Sequence, residues 1–215
     1  DYKFAKTVIR SRVKGVYSEI NSLLAGSDDA ELKEKYAEVS DQLPIIKELA
    51  DILYKNKKNR GCPELETSES KLIINDEDIC VGVERRTRGR SEEIIEDFML
   101  VANECAARFG MDNNLPFVYR IHEEPSDEKL ESLREALVKL NVQYKLGEKA
   151  CPGDMSEILK AAKGTDIDLI MNNIVLRSMS KARYSTERVG HFGLALEDYA
   201  HFTSPIRRYP DLAIH

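Results

Sequence analysis

The stretch His191-Phe-Gly-Leu-Ala-Leu-Glu-Asp-Tyr-Ala-His201-Phe-Thr-Ser-Pro-Ile-Arg-Arg-Tyr-Pro-Asp-Leu-Ala-Ile-His215 carries more information than any other part of the chain. Two hydroxyls, Thr203 and Ser204, precede a turn at Pro205, and two arginines, Arg207 and Arg208, precede Tyr209. Pro210 suits the first turn of a helix, where its missing N–H costs nothing. A helix N-terminus offers free amides and a positive dipole end. Arginine adds a fork that matches a phosphate or carboxylate bidentately. The pattern reads as a phosphate clamp, with one competing reading in which an ion pair to Asp211 or Glu197 takes up Arg207. The chain stops about one turn into the helix, which is little to hold an amphipathic segment. A truncated parent is therefore expected.

Away from this stretch the chain is an ordinary mixture. Its 215 residues are 42% hydrophobic and 33% charged, the composition of a globular domain. No apolar run approaches a membrane span and the N-terminus lacks signal-peptide anatomy, so no membrane partner is expected. The four cysteines form no Cys-x-x-Cys pair, so structural zinc is not indicated. Free, mostly packed thiols in a reducing cytoplasm are expected instead. A net charge of −6 argues against a diffuse basic coat for nucleic acid. It leaves room for local basic clusters at Lys55, Lys57, Lys58 and Arg60, and at Arg85, Arg86, Arg88 and Arg90.

Periodicity predicts a single mixed α/β (α+β) unit. Phe4 to about Gly15 alternates like a strand. Ser27-Asp28-Asp29 caps a helix from Ala30 to about Lys57, kinked or broken at Pro44. Lys71–Ile74 and Ile79–Arg86 form a hairpin through Asn75-Asp76-Glu77-Asp78. Ser91 caps a helix to about Phe109, and Leu115–Ile121 is a strand. Helices follow over 127–140, 153–161 and 169–179, and Ala182–Tyr184 pairs with His191–Leu196.

The Ser91 helix is apolar almost all round, with Glu96 and Asn103 nearly in line on it. A buried carboxylate needs a partner. Glu96 is therefore either an ion-pair or capping residue, or the acceptor for a ligand hydroxyl such as that of ribose. Asp166-Ile-Asp168, with Asp154 upstream, has the spacing of a divalent-metal site. Two carboxylates are too few, and both fit the first turn of the following helix, so no metal ligand is assigned. Ser204 and His201 show no nucleophile elbow.

At these residues the chain resembles the RNB catalytic domain of the ribonuclease II and ribonuclease R family, with the ribonuclease R branch nearest. The closing stretch resembles that family's signature. Ile94-Ile-Glu-Asp-Phe-Met-Leu-Val-Ala-Asn-Glu104, Pro116-Phe-Val-Tyr-Arg-Ile-His-Glu-Glu-Pro125 and Leu176-Arg-Ser-Met179 follow in its order and spacing. The resemblance covers essentially all of residues 1–215. It implies the C-terminal portion of an RNB domain, without the flanking cold-shock and S1 domains. The implied activity is processive, magnesium-dependent, hydrolytic 3′→5′ degradation of single-stranded RNA to nucleoside 5′-monophosphates.

By the same resemblance, Arg207 contacts the scissile phosphate, Tyr17 and Glu96 hold the 3′-terminal nucleotide and favour ribose, and Arg208 and Tyr209 complete the motif. Thr203 and Ser204 lie in the same substrate-binding stretch. The magnesium ligands of the family are aspartates upstream of the matched region, so the segment alone is expected to be inactive. Arg60-Gly-Cys-Pro-Glu-Leu65 places Leu65 where the family has a base-clamping Phe, which forgoes stacking of about 1–3 kcal/mol per base. The alternative is a non-catalytic RNA-binding or scaffold module on the same fold.

Overall fold

In the computed structural model, residues 2–65, 69–86 and 88–215 are described, with backbone alone at 69–71, 85 and 86. The side chains of Arg85 and Arg86 thus lie outside the described residues. The chain divides into two compact units. The first takes in residues up to Ile52 and Thr67–Phe98, the second Leu53–Glu66 and Met99–His215.

The first unit begins with an extended, irregular stretch over 2–16 rather than the expected strand. Alternation encodes a two-faced surface, but a strand also needs a ladder partner. None of the described residues supplies one, and Val8 and Ile9 are exposed. Helix α1 (Tyr17–Leu24) follows, then α2 (Ala30–Lys35). Asp29 caps α2, its Oδ1 accepting from the amides of Glu31 (2.9 Å) and Leu32 (3.2 Å). The single long helix expected here is broken by a turn over 36–41, and α3 (Gln42–Asn59) restarts beyond it. The break falls before Pro44, because proline sits in the first turn of α3, where four amides lack intrahelical partners anyway.

The hairpin forms as expected from β1 (Glu69–Ile74) and β2 (Cys80–Arg86). Asn75 makes its turn, Oδ1 accepting from the amides of Glu77 (3.1 Å) and Ile79 (2.9 Å). Helix α4 (Arg90–Asp112) starts one residue before Ser91. Glu92 takes the capping role by accepting from the Gly89 amide at 3.1 Å, whereas the Ser91 hydroxyl donates to the Tyr17 carbonyl at 3.0 Å.

In the second unit, α5 (Asp127–Lys139), α6 (Pro152–Ala162) and α7 (Asp168–Ser178) lie within a residue or two of expectation. Leu130, Leu133 and Leu137 recur on one face of α5 and pack with Met155, Ile158, Met171 and Val175. Burying each such side chain contributes about 1.5–3 kcal/mol. The strand expected over 115–121 shortens to β3 (Tyr119–Ile121). It pairs antiparallel with β4 (Arg183–Ser185), not β4 with His191–Leu196. His191 instead bridges both His122 and Leu196, so it belongs to the back of the closing loop. The last element is α8 (Tyr209–Ile214), with Pro210 in its first turn as read from the sequence. Helices with two short antiparallel pairs make the expected mixed α/β class. All four cysteines are free as expected, but Cys80 and Cys151 are exposed rather than packed.

Candidate functional site

The loop between Ala200 and α8 is pinned at both ends by buried side chains. On one side Asn103, only 2% exposed, accepts on Oδ1 from the amides of Phe202 (2.9 Å) and Thr203 (3.2 Å). Its Nδ2 is in turn bonded to the Tyr199 hydroxyl at 3.0 Å. On the other side Asp211, fully buried at 0% exposure, accepts from the Ser204 amide at 2.8 Å. The Arg208 guanidinium grips the same carboxylate with Nε and Nη2 at 2.8 and 2.7 Å. Burial would raise the Asp211 pKa, but the Arg208 fork and the Ser204 amide outweigh it and hold the carboxyl below its usual range.

This settles which arginine is structural. Arg208 takes Asp211, and Arg207 is exposed with no ion pair among the described residues. Beside it Ile206 is 97% and Tyr209 80% exposed. The tip of the loop thus offers a guanidinium fork flanked by an aliphatic and an aromatic surface. The hydroxyls named from sequence sit deeper: Ser204 is buried, and Thr203 Oγ1 is buried without a hydrogen-bond partner.

Behind the loop lies a chain of rings that sequence reading missed. His122 packs edge-on against His191, His191 against Tyr199, and Tyr199 against His201. The hydroxyl of Tyr184 meets His201 Nδ1 at 2.8 Å, and the Arg120 guanidinium lies over the Tyr184 ring. Burial pushes His191 down to about 3 and His201 down to about 4, the latter helped by the nearby Arg208 charge. Both rings are therefore neutral near pH 7. His122 Nδ1 accepts from the Gly193 amide at 3.1 Å. A Cβ at Gly193 would stand 2.7 Å from that nitrogen, so the close approach requires glycine. The usable signal was three histidines within reach of one loop, which carries meaning only once β3 is placed beside it.

Within the first unit Tyr17 opens α1, 47% exposed. The Tyr17 carbonyl accepts from the buried Ser91 hydroxyl, and the buried Tyr36 holds the preceding residue, its hydroxyl accepting from the Val16 amide at 3.1 Å and bonding the Glu19 carboxylate. Asn21 ties the same helix to the start of α4, accepting from the Ser91 amide at 2.7 Å and donating to Glu92 at 3.0 Å. Glu96 is not the buried acid expected from the apolar character of α4. Its side chain is 44% exposed and pairs with Arg88 at 3.2 Å, and the buried acid on this helix is its neighbour Asp97. The ion-pair reading of Glu96 is thus realised, on a half-open surface where a ligand hydroxyl can also reach it.

Leu65 is half-buried and packs on the α5–α7 core. The acidic residues with metal-like spacing have other work. Asp154 accepts from the Tyr144 hydroxyl and the Cys151 amide, both at 2.6 Å. Asp168 accepts from the Gly164 amide and Asn172 Nδ2, both at 2.9 Å, at the start of α7. Among the described residues no group of three or more His, Cys, Asp or Glu is arranged to hold a metal ion. Among the same residues no helix is long and apolar enough to cross a membrane.

The chain matches the family described as RNB domain over residues 1–215. It is similar to Ribonuclease R 1 of Lactococcus lactis subsp. lactis (strain IL1403), 39% identical over 219 residues covering 100% of this chain and 26% of that protein. Ribonuclease R of Escherichia coli (strain K12) is 38% identical over 214 residues, again 100% of this chain and 26% of the relative. The chain therefore spans about a quarter of the length of these curated relatives. Among solved structures, the apo form of Mycoplasma genitalium RNase R matches with a TM-score of 0.83 at 29% identity, over 93% of this chain and 31% of that one. The same enzyme has been solved with ribose-methylated single-stranded RNA and with double-stranded RNA. Yeast Ssd1, a pseudonuclease, matches with a TM-score of 0.63 at 19% identity over 92% of this chain and 24% of its own, a likeness of fold alone.

Proposed function

The chain belongs to the RNB family, and on that premise we propose that it is part of a processive hydrolytic 3′→5′ exoribonuclease of the cytoplasm. Its substrate is the 3′ end of single-stranded RNA, and its products are nucleoside 5′-monophosphates. The observation that carries this reading is the division of labour between adjacent arginines: Arg208 is consumed by Asp211, which leaves Arg207 exposed and, among the described residues, without an ion pair. A guanidinium held in this way meets the non-bridging oxygens of a phosphodiester bidentately. It neutralises the charge that grows on them as the bond breaks.

The remaining roles are those the family resemblance implies, and exposure and chemistry are compatible with them. Tyr209 presents its ring for stacking on a base, and Ile206 beside it packs against the same ligand. Glu96 accepts from a ribose hydroxyl, the group that separates RNA from DNA, with Arg88 paired to it at 3.2 Å. Tyr17 positions the terminal nucleotide. The neutral imidazoles behind the loop add no positive charge to compete with Arg207 for the phosphate.

The family's magnesium would stabilise the attacking and leaving oxygens, but the carboxylates described do not fit such an ion. Asp211, Asp154 and Asp168 are engaged in the hydrogen bonds given above, so no step of the proposal passes through a metal. The segment by itself is accordingly proposed to be inactive. Solved complexes of a 29% identical enzyme with RNA support RNA as the ligand class.

In the full-length protein with 3′-labelled single-stranded RNA and magnesium, labelled mononucleotide is expected at once. Arg207→Ala is expected to slow its release about 10²–10³-fold in single turnover. An unchanged rate would remove Arg207 from the chemistry. Binding of RNA with no release by the full-length wild type would favour the non-catalytic module instead, and robust release by the 215-residue segment alone would overturn its proposed inactivity.

A further inference from the structure

Asn103 touches nothing in the chemistry proposed above, yet its side-chain amide is unusually well used. It sits in α4 at 2% exposure, and Oδ1 serves two consecutive backbone amides, those of Phe202 and Thr203. An amide oxygen has two lone pairs, so both are spent on this one loop. The Nδ2 bond to Tyr199, itself buried, stops the amide from rotating away.

Seen along the chain, the anchor at Phe202 and Thr203 is followed by the Asp211 anchor on Ser204 and Arg208. Only Pro205, Ile206 and Arg207 lie between the pinned points, and Pro205 stiffens that tip further because its φ is fixed. Thr203 is joined directly to Ser204, so loss of the Asn103 anchor leaves the tip that carries Arg207 held from the Asp211 side alone. We infer that Asn103 is a positioning residue, which sets the place of the Arg207 guanidinium by holding the Phe202 and Thr203 amides. The inference rests on the reading of Arg207 as the phosphate-binding arginine.

The test compares the full-length protein with Asn103→Leu, Asn103→Asp, Arg207→Ala and the double variant Asn103→Leu/Arg207→Ala, in single-turnover cleavage of single-stranded RNA. Leucine is close in size but accepts no hydrogen bond, so the amides lose their anchor. At saturating RNA the rate is expected to fall about 10²-fold, the usual consequence of misplacing a catalytic group by an ångström or so. Aspartate keeps an acceptor for both amides, and the Tyr199 hydroxyl can turn to donate to its second oxygen. That variant is expected to recover most of the rate.

The double variant decides between positioning and bulk stability. If Asn103 acts through Arg207, the double variant is no slower than Arg207→Ala alone. Rates that multiply, or an Asn103→Leu rate equal to wild type, overturn the inference. An Arg207→Ala rate equal to wild type overturns the underlying reading of Arg207 instead, so the two failures are told apart. Should Asn103→Leu not melt cooperatively, Asn103→Ser takes its place with the same expected loss, since its side chain is too short to reach both amides.

Discussion

The Arg207 loop and the Tyr17–Glu96 region are held by different means. The loop hangs on two buried polar side chains, Asn103 and Asp211, whose bonds are closed off from water. The Tyr17–Glu96 region adds to the buried Tyr36 and Ser91 a set of bonds at or near the surface: Glu19 with Lys35, Glu92 with Asn21, and Glu96 with Arg88. An exposed ion pair contributes about 0–1 kcal/mol. Breaking a buried one costs several times more, because a charge is left without a partner. The difference fits the tasks proposed for them. A group that must meet a phosphate in one geometry is built in advance, whereas groups that hold a variable nucleotide can afford adjustable supports.

The largest expected effect breaks the stiff side. Asp211→Asn leaves the Arg208 charge half-buried without its counterion and is expected to lower stability by about 3–5 kcal/mol, read from urea unfolding. A loss below about 1 kcal/mol would place this pair with the surface pairs of the other region.

A smaller effect separates the regions by pH. His191 is held at about 3 by burial, below the ordinary value of about 6.5 for an unfolded histidine. The folded state therefore binds fewer protons than the unfolded one at intermediate pH. Stability from this group is complete above about pH 6.5 and falls by up to about 1.4 kcal/mol per pH unit below it. Glu19 is depressed for a different reason, chiefly its hydrogen bond to Lys35, with Tyr36 adding to it. Its contribution is present above the ordinary glutamate range and fades only as pH falls through and below that range. Between pH 6.5 and 5, amide protection relative to the intrinsic exchange rate is thus expected to fall around His191 and Tyr199 and to hold steady around Tyr36. Equal protection in both places across that interval would count against a neutral buried His191.

The smallest effect belongs to Arg88→Ala, which removes the partner of Glu96 from a half-exposed pair. Stability is expected to change by less than about 1 kcal/mol. Discrimination between RNA and DNA oligonucleotides is expected to weaken, because Glu96 loses a contact that orients its carboxylate. Unaltered discrimination together with a clear loss of stability would mean that the pair is structural.

Much of this was legible in the order of residues. Helices α5, α6 and α7 came within a residue or two of their observed ends, because a 3.6-residue apolar period and a proline or serine at the start are local signals. The hairpin turn at Asn75 was legible for the same reason, since an asparagine bonding amides two and four residues on needs no distant partner. The stretch 2–16 misled, because alternation describes a surface and does not name the neighbour that would pair with it. Glu96 misled in the same way. An all-round apolar helix does not say which of two adjacent acids, Glu96 or Asp97, faces inward.

The sequence by itself determined the family of this chain, the class of its fold and the arginine-rich loop on which the proposed chemistry centres. Those rest on residue identity and spacing, which survive without coordinates. Only the tertiary structure decided which of two neighbouring arginines is left without an ion pair among the described residues. That depends on the direction in which the chain turns at Pro205 and on the buried carboxylate of Asp211, which accommodates one guanidinium fork and leaves the other exposed.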